Sequence, residues 1–370
     1  MSYRSKLEDY LADHPSMQGA AIFADGMHSV AHPSYFDFVA GASPVADRNC
    51  LFVTAEGETL ILTNLSRDVK RLQRHAEVDE VRATDSFDAD LQSVVSDLEL
   101  EGTVGVAGAD RMPLGVRQSL DGAVAELTAI DDALYELTRG KTAEEIAIFR
   151  KLGRIADRGF EAAYDALRPG VKEYEIAASI EKAMRDAGAE DNFNLLGSGE
   201  RNDLMHSPTE RIVEGGDTFL CELSPMYEGF VLQICRTISV GSPNGTLTTK
   251  YQLLEEALAE TKSKLRPGVP AATISKTMND VFRREGYDEY CQPPYMRTRG
   301  HEFGIGPIGM AITEDTDVEL TDGMVVVIHP NQYIPETGYL ALGDPVLITE
   351  GGSETLTETP PRLFTKEVVQ

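Results

Sequence analysis

Between Thr142 and Leu167 the apolar residues Ile146, Phe149, Leu152, Phe160, Ala163 and Leu167 recur at mostly helical spacing. That pattern predicts one long helix with a single stripe facing a core. Thr142-Ala-Glu-Glu145 matches a capping box, which predicts where the helix starts. Pro169 and Gly170 predict its end. A second helical stripe follows in Ile176, Ile180 and Met184. The scheme then repeats. Leu167-Arg-Pro-Gly-Val171 returns as Leu265-Arg-Pro-Gly-Val269, 98 residues later, and Ile176 and Gly188 answer Ile274 and Gly286 at the same offset. Leu254, Leu258 and Leu265, then Ile274, Met278 and Phe282, form the second pair of stripes. Strand-like runs surround both copies at Thr218–Leu223, Gly229–Val240, Met324–His329 and Pro345–Thr349. A helix–helix–sheet unit used twice predicts a pseudo-two-fold domain, and its natural site is the seam between the halves.

Residues 1–135 read differently. Ala20–Ala24, Leu51–Thr54, Thr59–Leu62 and Val104–Ala107 are short strand candidates. Ala55-Glu-Gly-Glu58 predicts a hairpin turn between the middle two. Ser66–His75 and Phe87–Leu98 read as helices. The expected fold class is α/β (α+β): an N-terminal α/β domain over 1–135, a boundary within Asp131–Lys141, and the duplicated domain over 140–370.

Charge narrows the functional classes. The 61 acidic residues outnumber 34 basic ones, leaving −27. Such a surface repels nucleic acid and anionic membranes. Only 11 of the basic residues are Lys, and that depletion favours a protein adapted to a salt-rich cytoplasm, where counterions screen self-repulsion. Cys50, Cys221, Cys235 and Cys291 show no paired spacing, so free thiols in a reducing compartment are expected. No apolar run approaches the roughly 18 residues a spanning helix needs. The N-terminus does not read as a signal sequence, and a cytoplasmic protein is expected.

Seven His are present. His14, His28, His32 and His75 read as surface or loop residues. The other three each sit beside a structural marker in the duplicated half. His206 lies in Asn202-Asp-Leu-Met-His206-Ser-Pro208, His301 in Arg299-Gly-His301-Glu-Phe-Gly-Ile-Gly306, and His329 ends a strand before Pro330. Glu222, in the apolar setting Phe219-Leu-Cys-Glu-Leu223, needs a partner if buried, and His301 or His329 would supply one. Cys235 reads as a small core residue that neighbouring imidazoles could activate, and Arg236 as a strand anchor.

These segments carry a resemblance. Leu137–Ile146, Asn202–Pro208, Gly216-Asp217, Gly229-Phe230, Arg236-Thr237, Gly300-His301, Gly323–Val326 and Gly338-Tyr339 occur in the order and spacing of the creatinase, prolidase and methionine-aminopeptidase superfamily. The resemblance covers the whole chain. It implies a creatinase-type N-terminal domain, a "pita-bread" C-terminal domain and a homodimer, with His32–Ala40 and Arg48 nearest the neighbour's chamber mouth. Peptidases of this superfamily hold two divalent ions with two Asp, one His and two Glu. Carried over, those positions fall on Glu222, Gln233, His301, His329 and Gly343. One carboxylate and two imidazoles could hold at most a single borderline ion such as zinc, so the expectation is no metal and no cofactor.

Creatinase, a metal-free relative, has its catalytic His where this chain has His206. The two Glu that hold its guanidinium substrate fall on Cys235 and Leu342, which argues against creatine itself. The leading expectation is a metal-independent hydrolase of a small C–N-bonded molecule, creatinase-like or ectoine-hydrolase-like. His206 would be general base and acid and His301 its catalytic partner. Glu222, Gln233, Cys235, His329 and Arg299 would bind substrate. A non-catalytic peptide- or ligand-binding protein and an Xaa-Pro-type peptidase are the alternatives.

Overall fold

The computed structural model describes residues 2–27, 29–30, 34–304 and 309–368. His28, His32, Ile305 and Gly306 lie outside them. The chain forms two compact units that divide after Thr138.

The first unit contains α1 (Tyr3–Asp13), β1 (Met17–Ala24), α2 (Tyr35–Ala40), β2 (Asn49–Thr54), β3 (Thr59–Thr63), α3 (Val69–His75), β4 (Glu80–Ala83), α4 (Phe87–Asp97), β5 (Thr103–Ala107), α5 (Leu114–Ala123), β6 (Glu126–Ala129) and α6 (Asp131–Leu137). Its six strands lie in the order β4-β3-β2-β1-β5-β6. The hairpin turn at Ala55–Glu58 closes an antiparallel β2–β3 pair in which Val53 faces Thr59. Sequence pattern misses β4 and β6, whose half-exposed residues carry no run or alternation of apolar side chains. It also leaves α6 as a boundary, whereas Asp131–Leu137 is helical.

The second unit contains α7 (Ala143–Ala166), α8 (Glu173–Asp186), β7 (Asp191–Gly199), β8 (Thr218–Tyr227), β9 (Phe230–Val231), β10 (Ile234–Val240), α9 (Gly245–Lys262), α10 (Ala272–Arg284), β11 (Gly300–Phe303), β12 (Val325–Ile328), β13 (Gln332–Ile334), β14 (Gly338–Leu340), β15 (Asp344–Thr349), β16 (Gly352–Thr355) and β17 (Phe364–Lys366). The capping box is present: Thr142 accepts from the Glu145 backbone while Glu145 accepts from the Thr142 N–H.

The sequence repeat is a repeat of backbone geometry. Gly170 and Gly268 both have positive φ, 91° and 80°. Gly170 N–H donates to Val213 O at 2.8 Å, and Gly268 N–H donates to Leu320 O at 2.9 Å. In return Val213 N–H reaches Val171 O, and Leu320 N–H reaches Val269 O, both at 2.8 Å. Each helix pair is thus stitched to the strand entry of its own half. The halves carry separate sheets, β17-β10-β8-β7 and β11-β12-β15-β16. They meet where Cys235 on β10 and Gly343, just before β15, exchange two backbone hydrogen bonds of 3.1 and 3.0 Å.

One side of that seam is clamped by charge. The buried Arg236 guanidinium donates to the carbonyls of Cys235 and Gly343 and pairs with Asp344 Oδ1 at 2.7 Å. Lys262 Nζ reaches Asp344 Oδ2 at 2.5 Å. Burial works to raise the Asp344 carboxyl's pKa, but Arg236 and Lys262 outweigh it and hold it below the ordinary range. Among the described residues no helix is long and apolar enough to cross a membrane.

Candidate active site

Strand alternation turns Cys235 and Arg236 to opposite faces of β10, so the charged clamp lies on one face and a cluster of thiol, carboxyl, amide and imidazoles on the other. Glu222 stands opposite Cys235 in the β8–β10 register. His301 enters from β11 and His329 from the end of β12. Gln233, at the entry to β10, joins them. Its Nε2 donates to Glu222 Oε1 at 2.8 Å and to Ser224 Oγ at 3.1 Å. Its Oε1 receives His329 Nε2 at 2.8 Å and His301 Nε2 at 3.2 Å. Behind this layer Cys235 Sγ lies 3.3 Å from Glu222 Oε2 and 3.4 Å from His329 Nδ1.

The amide fixes the protons. Beside a carboxylate the NH2 group must face Glu222, so the carbonyl faces the imidazoles. A carbonyl only accepts, so both His carry their proton on Nε2, and Nδ1 of His329 is left as a bare lone pair. Burial pulls His301 down to about 4; burial, then the neighbouring His301, pull His329 down to about 3. Both rings are neutral at ordinary pH. Burial pushes the Glu222 carboxyl up, and it pushes the Cys235 thiol well up, with Glu222 adding to the effect.

This cluster forms the floor of a chamber of ≈ 400 Å³. Glu222, Ser224, Gln233, His301, His329, Asn331 and Tyr339 supply the polar surface, and Phe193, Val231, Tyr295, Met296 and Phe303 an apolar wall. Among the described residues Arg297 is the one Arg or Lys side chain lining it. The structure therefore brings together Glu222, Gln233, Cys235, His301 and His329 from four separate segments.

Two expected site residues stand apart. His206 does not line the chamber. Its backbone pairs with Leu196 on β7, and its Nδ1 meets Ser207 O at 2.8 Å. The loop is held there because Asn202 bonds Thr218 O through its side chain and Tyr339 N–H through its carbonyl. Arg299, expected to bind substrate, is buried with its donors spent within the fold on Asn279 Oδ1, Asn331 O and Gln332 Oε1 at 2.6–2.7 Å. Ser224, Asn331 and Arg297 escape sequence reasoning, and Tyr339 enters it only as part of the Gly338-Tyr339 motif. Strand alternation could have found Ser224, two residues beyond Glu222 on the same face. Arg297 sits in an irregular segment that gives no signal.

A profile of metallopeptidase family M24 matches residues 147–350, more than half the chain. This chain belongs to metallopeptidase family M24. The M24 chain is 29% identical over 333 residues to a Xaa-Pro dipeptidase of Pyrococcus horikoshii, covering 88% of this chain and 91% of that one. It is 32% identical over 249 residues to an uncharacterised peptidase of Bacillus subtilis, 65% of this chain and 68% of the relative. The prolidase of Pyrococcus furiosus superposes with a TM-score of 0.82 at 26% identity, over 95% of this chain and 99% of that chain. The pita-bread fold is that of the M24 family, and the peptidase relatives favour the Xaa-Pro alternative over a creatinase-like one.

Membership in a metallopeptidase family implies divalent ions, and the paired-ion ligand set of the resemblance can be tested against the residues present. It does not fit. Gly343 offers no ligand atom, and a Cβ built there would lie 2.5 Å from His329 Nδ1, so the imidazole occupies the space a Glu side chain would need. Gln233 is a neutral amide with both ends engaged. One carboxylate among neutral groups cannot balance two hard divalent ions.

Proposed function

We propose that this chain is a hydrolase of short peptide or peptide-like amides acting in the chamber above Glu222, with Xaa-Pro dipeptides the substrate class to expect. The observation that carries this reading is the convergence of one carboxylate and two imidazoles on a single amide at the chamber floor. Kinship with Xaa-Pro dipeptidases over nine-tenths of the chain supports the substrate class. The chamber's size suits a dipeptide. Its apolar wall takes the side chains, the polar floor faces the scissile amide, and Arg297 takes the free carboxylate.

Among the described residues Glu222 is the only carboxylate lining the chamber, so both proton transfer and cation binding at the floor depend on it. Gln233 positions it together with both rings. The finer reading with His206 as a metal-free general base is weaker, because that ring meets Ser207 O and does not line the chamber. A homodimer, which the resemblance implies, and a salt-rich cytoplasm, which the charge suggests, belong to the same proposal.

The second reading is a peptide-binding protein without turnover. The closed bonding of Gln233 favours it, since its amide donors are not left over for substrate. A panel of Xaa-Pro dipeptides and their C-terminal amides, assayed at high salt with and without added divalent ions, separates the two. Hydrolysis that falls more than about 100-fold in Glu222→Gln supports the enzyme reading. Arg297→Ala should raise KM about tenfold for free dipeptides and leave the amides unchanged. A wild type inert across the whole panel, yet binding its members, would establish the second reading.

A further inference from the structure

The geometry points to a single-cation site for a thiophilic divalent ion such as Zn2+, formed by Glu222, Cys235 and His329, in place of the family's ion pair. This site does not rest on the proposed hydrolysis. Their three ligand atoms, a carboxylate oxygen, Sγ and Nδ1, all lie within 4.8 Å of one another. Sγ is 3.3 Å from Glu222 Oε2 and 3.4 Å from His329 Nδ1. Around tetrahedral zinc, with Zn–S of about 2.3 Å and Zn–N or Zn–O of about 2.1 Å, sulfur stands roughly 3.5 Å from each other ligand. The two sulfur contacts already have that spacing.

Proton accounting gives a second, independent reason. His329 donates through Nε2 to Gln233, so Nδ1 presents a lone pair toward Cys235. With Glu222 as a carboxylate, the single S–H can be given to Nδ1 or to Glu222 Oε2, but not to both. One close contact is then left between two lone pairs. A cation removes that conflict: it takes all three lone pairs and displaces the thiol proton to solvent. Gln233 already supplies the outer support such a site needs, holding Glu222 by its NH2 and His329 by its carbonyl. Glu222 and His329 line the chamber, which gives the ion its entry path. Gly343 completes the arrangement, since any side chain there would displace the His329 ring. This ligand set differs from the sequence-based count, which joined His301 to Glu222 and His329 and left the thiol in the core.

The test is a titration of the full chain, stripped with chelator at high salt, using Co2+ as probe and Zn2+ as competitor. One equivalent should bind, with the strong near-ultraviolet absorption of a cobalt–thiolate bond and release of protons to the buffer. Cys235→Ser should abolish that absorption. Gln233→Ala, which touches no proposed ligand atom, should weaken binding about 10–100-fold. Absence of Co2+ binding, two equivalents, or an absorption that survives Cys235→Ser would overturn the site. Ion binding without hydrolysis would leave the site standing and remove the proposed function; hydrolysis without ion binding would do the reverse.

Discussion

The two faces of β10 at the seam differ by one residue in sequence and by almost everything in chemistry. Arg236, Asp344 and Lys262 make a charged clamp in which each buried charge has a partner. Cys235 and Gly343, their immediate neighbours, belong to a floor where burial keeps the imidazoles neutral and pushes the carboxyl and thiol up. The clamp holds the halves together through the carbonyls of Cys235 and Gly343 themselves. A floor supported from behind is free to change its ligands without losing the fold. Conserving the seam and altering the site are then separate matters, decided on opposite faces of one strand.

Breaking the clamp should have the largest effect. Arg236→Met leaves Asp344 buried with only Lys262 beside it, and should cost about 3–5 kcal/mol in denaturant unfolding at high salt. A loss comparable to that of Cys235→Ser would erase the distinction between the faces. Gly343→Ala comes next. Its Cβ would press on His329 Nδ1 at 2.5 Å and Cys235 Cβ at 3.2 Å, and overpacking of this kind costs about 1–3 kcal/mol. Gly343→Glu, which writes a family ligand back, should not restore a second ion, because the ring holds that space; two bound ions in this variant would refute the steric argument.

Acid should act on the floor in a definite direction. Between about 6.5, where unfolded His titrates, and the folded values of about 4 and about 3, the unfolded chain binds protons that His301 and His329 refuse. Their contribution is intact above about 6.5 and is lost as pH falls, with a slope of up to about 1.4 kcal/mol per pH unit for each ring. Glu222 opposes this, since a raised carboxyl pKa gives stability as pH falls through it. Denaturant unfolding from pH 7 to pH 4 should therefore show a shallower loss in His329→Gln than in the wild type; equal slopes would mean the ring is not held neutral. The smallest effect belongs to Cys235→Ser itself, about 1 kcal/mol or less in the ion-free protein, since the hydroxyl keeps a donor between Glu222 and His329.

The duplicated frame was legible because local rules govern it. Helical spacing, the Thr142 capping box and the two positive-φ glycines at Gly170 and Gly268 each act within a few residues. The short strands β4 and β6 were not, because they pair at sheet edges with few buried side chains. Resemblance located Glu222, Gln233, His301 and His329, but not what they do to one another. That depends on which end of the Gln233 amide faces Glu222, a fact of three dimensions. His206 shows the converse limit: its motif matched, while its side chain bonds Ser207 O within the loop and does not line the chamber. Arg299 reads as a cation beside a catalytic His and is instead consumed by Asn279, Asn331 and Gln332.

The most direct test of a floor rebuilt around Gln233 is anomalous diffraction at the zinc edge from crystals grown with Zn2+. The account expects one peak, bounded by Glu222 Oε2, Cys235 Sγ and His329 Nδ1. Two peaks, or a single one bound by His301, would contradict it.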